Sequence, residues 1–137
     1  MTTETTKPTV TYIWGTGRRK TATARVRIKP GQGVVTVNRI PMEKYFTTVR
    51  CRNAVLSPLK FTKLETNFDV LVNVVGGGMT GQAEAVRMGL SRALLSYDSG
   101  LEKALRDEGY LTRDDRMVER KKYGQPGARK RFQYSKR

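Results

Sequence analysis

The chain has 137 residues, with 27 Lys and Arg against 12 Asp and Glu, for a formal net charge of +15. This length suits one domain with its own core, and this charge favours polyanionic partners such as RNA, DNA or an anionic membrane surface. No apolar run approaches the ~20 residues of a spanning helix, and the absence of histidine removes the usual general base and zinc ligand. The composition argues against a membrane-spanning protein and against most enzyme classes.

The N-terminus and the scattered reactive residues suggest no chemistry. Residues 1–9 are mostly threonine, which predicts a disordered segment without a signal-peptide pattern. Cys51 is the single cysteine and cannot form an internal disulfide, so we expect a structural thiol in a reducing cytosol. Adjacent acids such as Asp114 and Asp115 lie beside arginines and are expected to be solvated or paired, not to hold a metal. We therefore expect no enzyme, no cofactor, no metal and no small-molecule substrate.

The first predicted elements are strands. Residues 12–14 (YIW) predict a short apolar strand that ends at the following glycines, Gly15 and Gly17. Residues 21–29 alternate strictly, which predicts a strand with one core face and one cationic face. The core face consists of Ala22, Ala24, Val26 and Ile28, and the cations of the other face are Arg25, Arg27 and Lys29.

The next stretch predicts a hairpin and then helix. The turn sequence PGQG at residues 30–33 and the valine-rich run 34–37 predict a β-hairpin with the preceding strand. Residues 41–64 predict two short helical pieces, because Pro58 should interrupt a longer helix and Ser57 is a suitable N-cap for the second piece.

A buried strand and two helices follow. Residues 68–75 (FDVLVNVV) predict a central strand buried on both faces. After three glycines, an apolar stripe at helical spacing predicts a helix, and its members are Ala83, Val86, Leu90, Ala93, Leu94 and Tyr97. A shorter helix is predicted from a capping box of Ser99 and Glu102, an ion pair of Glu102 with Arg106, and an end at Gly109.

The glycines before the long helix match a nucleotide-binding fingerprint. Gly76, Gly78 and Gly81 have the spacing of the dinucleotide-binding loop, and Glu102 lies near the position of its ribose-binding acid. No strand is predicted after this helix, so the required βαβ unit cannot close. The glycines are better explained by close backbone packing, or by an approach of a phosphate chain to the helix N-terminus.

The C-terminal 22 residues hold the densest charge. Residues 116–137 contain nine basic residues and one acid, Glu119. Glycines and a proline at positions 124–127 break regular structure, and few aliphatic residues remain to drive folding. Aromatic rings lie among the cations, at Tyr123, Phe132 and Tyr134. Cations neutralise phosphates and rings stack on bases, so the pattern predicts a tail that orders on nucleic acid; the alternative is a solvated tail that only maintains solubility.

Three stretches resemble one family. They are GTGRRK at residues 15–20, GGGMTGQAEAVRMGLSRAL at residues 76–94 and ERKKYGQPGARKRFQYSKR at residues 119–137. They are similar to the bacterial type of protein nine of the small ribosomal subunit, and the similarity runs from about Tyr12 to the C-terminus. The last two stretches are long and specific.

The resemblance implies a fold and a function. It implies an α/β two-layer domain with a mixed sheet packed by helices, a left-handed βαβ crossover against the usual right-handed rule, and a long extended basic C-terminal tail. The division is then a disordered segment 1–9, a globular RNA-binding domain 10–109 and a tail 110–137. The implied role is a structural constituent of the small subunit head, beside neighbouring ribosomal proteins. The expected location is a bacterial cytoplasmic ribosome, with an organellar ribosome as the alternative.

The expected RNA contacts come from the residues and from the resemblance. Contacts with small-subunit ribosomal RNA are expected at Arg18, Arg19, Lys20, Arg25, Arg27, Lys29, Arg120, Lys121, Lys122, Arg129, Lys130 and Arg131. The resemblance further implies that the terminal Ser135, Lys136 and Arg137 contact the anticodon arm of transfer RNA in the peptidyl site. Two other classes compete: a free-standing DNA-binding protein, on charge alone, and a nucleotide-dependent enzyme, on the glycine fingerprint alone.

Overall fold

Four strands come first along the chain, and a fifth strand follows between two groups of helices. The computed structural model describes residues 11–136, so the predicted disordered segment 1–9 lies outside the described residues. The strands are β1 (Ile13–Arg19), β2 (Ala22–Pro30), β3 (Val35–Val37), β4 (Ile40–Pro41) and β5 (Phe68–Val75). The helices are α1 (Met42–Tyr45), α2 (Val49–Thr62), α3 (Met79–Tyr97) and α4 (Glu102–Asp107), with a 3₁₀ turn (Ser99–Leu101) before α4.

The five strands form one mixed sheet in the order β1-β2-β5-β3-β4. Neighbouring strands are antiparallel except β3 and β5, which are parallel and joined through α1 and α2. Helix α3 packs on β1 and β2, and α2 packs on α3. The prediction of a mixed α/β domain is confirmed. No helix within residues 11–136 is long and apolar enough to cross a membrane.

One face of the sheet forms the core. The alternation predicted for β2 is confirmed, because Ala22, Ala24, Val26 and Ile28 are buried while the cations between them lie on the opposite face. The stripe of α3 is also confirmed for five of its six members, which are buried. Tyr97 is the exception: its ring lies half exposed, edge-on against Phe68. The predicted structural thiol, Cys51, is buried in the same core.

The prediction that the first strand ends at Gly15 and Gly17 is wrong. Strand β1 runs through both glycines to Arg19. A Cβ atom on Gly15 would overlap the carbonyl oxygen of Gly89, and one on Gly17 would overlap that of Ala85. The glycines are therefore strand residues that let α3 lie directly on the backbone of β1, and their role is close packing instead of a turn.

The predicted hairpin of β2 with residues 34–37 is also wrong. Strand β5 lies between β2 and β3, and the hairpin partner of β2 is β1. The loop after β2 is held by Asp69 of β5, whose Oδ1 accepts hydrogen bonds from the backbone N–H groups of Gln32 (2.9 Å), Gly33 (3.1 Å) and Val34 (3.1 Å). These bonds join the start of β3 to β5. The alternating pattern of a single strand does not reveal which strand lies next to it in the sheet.

Strand β5 is central, as predicted, but it is not buried on both faces. Phe68, Val70, Val72 and Val74 are buried, whereas the residues between them are half-buried or exposed. Leu71 and Val75 lie on the outer face, and they make the run largely apolar in sequence although only its inner face is buried. The helices cover one face only, so the other face of the sheet is open.

The two predicted helical pieces are largely one helix. Helix α2 is continuous over 14 residues and contains Pro58, and a separate four-residue helix, α1, precedes it. Pro58 cannot donate to the carbonyl of Ala54, and the Ser57 hydroxyl donates to that carbonyl instead, at 2.8 Å. Ser57 thus replaces the missing donor within the helix and does not cap a new one.

The predicted capping box before α4 is wrong as well. The carboxylate of Asp98 accepts the cap hydrogen bond from the Gly100 N–H at 2.9 Å, and Ser99 does not cap α4. The ion pair of Glu102 with Arg106 is confirmed at 2.9 Å. Helix α4 ends before Gly109, whose φ of +78° is typical of a residue that follows a helix.

Candidate nucleic-acid interface

The open side of the sheet, which we call the outer sheet face, carries most of the predicted cations of the domain. It consists of the outward positions of β1, β2 and β5, which are Trp14, Thr16, Arg18, Thr23, Arg25, Arg27, Lys29, Asp69, Leu71, Asn73 and Val75. Pairing between the strands places Arg25 beside Thr16 and Asn73, and Arg27 beside Trp14 and Leu71. Cations that are far apart in sequence therefore share one surface.

A single acid, Asp69, opposes the four cations of this face. Its carboxylate accepts three backbone hydrogen bonds from the loop after β2. These bonds, that of Val34 above all, together with the positive charge of Lys29, lower the pKa of Asp69 below its usual value. The acid stays ionised and is directed at the loop backbone, so the face keeps a net positive charge.

Two aromatic rings flank Arg27 on the same face. The Cζ atom of Arg27 lies 5.0 Å from the ring centroid of Tyr12 and 5.7 Å from that of Trp14, which are cation–π distances. Trp14 remains 54% exposed. In sequence, the two rings belong to the apolar run of residues 12–14. The outward direction of Trp14 follows from Gly15, because Gly15 faces α3 and the residue before it on the strand must point to the opposite face.

The motif GTGRRK is divided between two environments. Arg18 and Lys20 are exposed, Arg18 on the outer sheet face and Lys20 in the turn to β2. Arg19 is only 13% exposed, and its guanidinium pairs with Glu84 of α3 at 2.6 Å and with Asp114 at 2.9 Å. The same guanidinium donates to the backbone carbonyl groups of Asp114 and Arg116. Arg19 thus holds the chain that leaves the domain, a role that its sequence position did not indicate.

Charge pairing continues into the segment that follows. Arg116 donates to Asp114, and this bond is the main reason that the pKa of Asp114 lies far below its usual value. Further along, Glu119 accepts hydrogen bonds from Lys122 and from Arg129, the latter at 2.9 Å, and the two cations lower its pKa. The one acid of residues 116–136 is therefore already neutralised by its neighbours.

Residues 116–136, which we call the basic tail, present their other charges and rings to solvent. They contain no helix or strand. The exposed cations are Arg120, Lys121, Lys130, Arg131 and Lys136. Tyr123, Phe132 and Tyr134 are also exposed. Ser135 is exposed too, and Arg137 lies outside the described residues, so the terminal contact with transfer RNA stays a prediction.

Two of the three glycines before α3, Gly76 and Gly77, serve packing. Gly76 has a φ of +76° and Gly77 a φ of +62°, and a Cβ atom on Gly76 would lie 2.5 Å from the carbonyl oxygen of Thr21. No strand follows α3 anywhere in residues 98–136, so the βαβ unit of a dinucleotide site is not formed there. Helix α3 also buries its stripe against the sheet, which leaves it unsuited to reading a DNA groove. Over the described range, no group of three or more acids or cysteines could hold a metal ion.

Comparison with known proteins gives one consistent result. The sequence model of the family described as ribosomal protein S9/S16 matches residues 17–137. Proteins named small ribosomal subunit protein uS9 are similar over nearly their full length. That of Christiangramia forsetii is 57% identical over 121 residues, covering 88% of this chain and 94% of its own. That of Solidesulfovibrio magneticus is 57% identical over 126 residues, covering 92% and 97%. That of Flavobacterium psychrophilum is 56% identical over 121 residues.

Proposed function

Because the chain belongs to the ribosomal protein S9/S16 family, and is thus a structural component of the small ribosomal subunit and not an enzyme, we propose that it binds the RNA of that subunit through two surfaces. One is the outer sheet face and the other is the basic tail. Residues 10–109 are the RNA-binding domain in this proposal, and residues 110–137 are an extended tail. Its place is the subunit head, in a cytoplasmic ribosome, beside neighbouring ribosomal proteins.

The observation that carries the proposal is the charge of the outer sheet face. Four cations face solvent there against one acid, and that acid is bound by three backbone amides. Arginine and lysine side chains neutralise phosphates and release counterions, which gives affinity that falls steeply with salt. Such contacts position RNA without reading its sequence, as a structural protein requires.

The basic tail supplies the second surface. Its exposed cations and rings lie on a segment without helix or strand, so the segment can follow the irregular path of a folded RNA. The terminal residues, by their resemblance to the family motif, contact the anticodon arm of transfer RNA in the peptidyl site. The crossover that joins β3 to β5 is left-handed in the same proposal, which rests on the family resemblance alone.

Removal of the sheet cations tests the proposal. The triple variant of Arg25, Arg27 and Lys29 to Gln should bind small-subunit RNA more weakly, with a salt slope lower by about 2 to 3 log units for three lost contacts. The fold should survive, because the three side chains lie outside the core. Filter binding across a range of salt concentrations measures the slope.

A matched control removes the same charge elsewhere. The exposed lysines Lys44, Lys60 and Lys103 lie on α1, α2 and α4, and their replacement by Gln leaves the outer sheet face intact. The salt slope of RNA binding should fall much less in this control variant than in the sheet variant. Equal slopes for the two variants would contradict a localised RNA-binding face.

A further inference from the structure

We propose that Trp14 and Arg27 form a stacking site for one unpaired RNA base on the outer sheet face. This inference rests on the proposed RNA binding and goes further, because it names the part of the RNA that the face receives. The resemblance places no role on Trp14, and the cations alone would accept any phosphate. The indole ring adds a requirement for a flat stacking partner, which the phosphate backbone does not provide.

The geometry of the ring is the first observation. Trp14 is 54% exposed although it lies in β1, the strand on which α3 packs. No described helix covers the ring, because the helices lie on the other side of the sheet. An exposed indole costs free energy in water, and a base that stacks on it removes that apolar area from solvent.

The position of the ring is fixed by the fold. Trp14 pairs with Arg27 across the β1–β2 hairpin, and the next residue, Gly15, is clamped against the backbone of α3. Arg27 lies within cation–π distance of both Tyr12 and Trp14, which limits the conformations of its side chain. The stacking surface is therefore formed before RNA arrives, and little side-chain entropy remains to be lost on binding.

The charge around the ring identifies the ligand. On the strand next to Trp14, Arg25 lies toward one end and Lys29 toward the other, so a flanking phosphate on either side of a stacked base would meet a cation. A flat aromatic ligand joined to anions is the chemistry of a nucleotide. A base inside a duplex has both its faces covered, so the site selects an unpaired base from a loop, bulge or single strand.

Tryptophan fluorescence provides a direct readout, because Trp14 is the only tryptophan of the chain. The full chain is titrated with three RNA ligands that contain the same number of phosphates: an adenosine-rich single strand, a blunt duplex, and a single strand of abasic residues. We expect saturable quenching with the first ligand and little quenching with the other two. Fluorescence anisotropy of labelled RNA should show salt-dependent binding of all three.

Substitution of the ring gives an independent measurement. Trp14→Leu should weaken binding of the single strand by roughly tenfold, the typical cost of one lost base stack, and should leave duplex binding nearly unchanged. Trp14→Phe should restore most of the affinity, because a phenyl ring still stacks. Tyr97→Leu, at the half-exposed end of α3, is the matched control and should not discriminate between the two RNA ligands. The melting temperature of each variant reports whether the fold is intact.

The two proposals fail in different ways. Quenching of equal depth by all three RNA ligands, or equal single-strand affinity for the Leu and Phe variants, overturns the stacking site and leaves phosphate binding standing. If none of the three ligands shows salt-dependent binding, RNA binding by this face is overturned, and the stacking site with it. Quenching by an acidic peptide as deep as that by the adenosine-rich strand would also overturn the site, since its ligand would then not be a base.

Discussion

The outer sheet face and the basic tail both present cations, but they hold them by different means. On the face, strand pairing sets the spacing of Arg25 and Arg27, and α3 supports the strands from behind. In the tail, the cations lie on a segment without helix or strand, and the only acid is satisfied by its neighbours. The face is therefore suited to an RNA surface of fixed shape, and the tail to a path that the RNA itself defines.

The two regions are joined by one ion-pair cluster. Arg19 is the last residue of β1, yet its guanidinium reaches Glu84 on α3 and Asp114 just before the basic tail. A cavity of about 230 Å³ lies beside this cluster and is lined by Arg18 and Arg116 among others. The direction in which the tail leaves the domain is thus set by the same strand that contributes to the outer sheet face.

Proteolysis should separate the two regions most strongly. We expect trypsin to cut the free protein rapidly after the exposed basic residues of the tail, such as Lys121 and Arg131, and to spare Arg25 and Arg27, because a paired strand does not fit a protease. Addition of small-subunit RNA should protect the tail by orders of magnitude in rate. Mass spectrometry of timed digests gives both rates. Equal protection of the tail with and without RNA would mean that it packs on the domain.

A glycine on the inner side of β1 and a glycine of the basic tail should respond differently to the same substitution. Gly17→Ala should destabilise the fold by about 1–3 kcal/mol or more, because the added methyl group overlaps the backbone of α3. The entropic gain from removing a glycine is only about 0.4–1 kcal/mol and cannot offset this overlap. Gly127→Ala in the tail meets only an ordinary contact with Lys130 and should change stability little. Urea unfolding of both variants measures the difference.

A control inside the domain sharpens this comparison. Nothing lies within 4 Å of a Cβ atom on Gly78, and its φ of −98° suits any residue. Gly78→Ala should therefore be tolerated although it lies at the start of α3. A loss of stability as large as that of Gly17→Ala would show that glycine content, and not the β1–α3 contact, explains the sensitivity.

Removal of Arg19 should loosen the connection between the regions while the core remains. Arg19→Gln deletes two ion pairs and leaves Glu84 and Asp114 without their shared partner. We expect faster tryptic cleavage after Arg113 and Arg116, with a modest fall in melting temperature. Arg106→Gln, which breaks the exposed pair with Glu102, is the matched control and should change neither. Unchanged cleavage in the Arg19 variant would show that the cluster does not hold the tail.

Acid should weaken the loop between β2 and β3 slightly. The pKa of Asp69 is lowered in the folded protein, so its contribution to stability is present above its unfolded pKa near 3.8 and is lost as the pH falls through the lower folded value. Asp69→Asn should therefore flatten the acid side of the stability profile and reduce stability slightly at neutral pH. Thermal unfolding between pH 2 and pH 7 gives the profile. An unchanged acid limb would contradict the assigned role of this carboxylate.

Local patterns in the sequence predicted the elements whose cause is local. The alternation of β2 and the stripe of α3 were sufficient, because burial of one face imposes a period. The partner of β3 was not predictable, since it depends on the bonds that Asp69 makes to a loop more than thirty residues away. The role of the β1 glycines is not visible in the local pattern, because it depends on their contact with α3. The continuity of α2 is not visible either, because it depends on the Ser57 hydroxyl, which replaces the donor that Pro58 lacks.

The residues of the candidate site also divide into those that local sequence patterns predict and those that only the fold reveals. Arg25, Arg27 and Lys29 were placed on one face from their spacing, and the structure puts them there. The sequence predicts only an apolar strand at Trp14, because the outward direction of this side chain depends on the contact between Gly15 and α3. The sequence groups Arg19 with its basic neighbours, and only the fold reveals that Glu84 of α3 and Asp114, just before the basic tail, already pair with it.

Crosslinking of RNA to protein in assembled small subunits tests most directly whether the outer sheet face and the basic tail both bind RNA. Ultraviolet irradiation followed by mass spectrometry identifies the peptides that carry a nucleotide. We expect crosslinks on residues 12–29, with Trp14 among the modified positions, and on residues 120–136, with few on α2 and α4. Crosslinks confined to the helices, with none on β1 or β2, would contradict RNA binding by the outer sheet face.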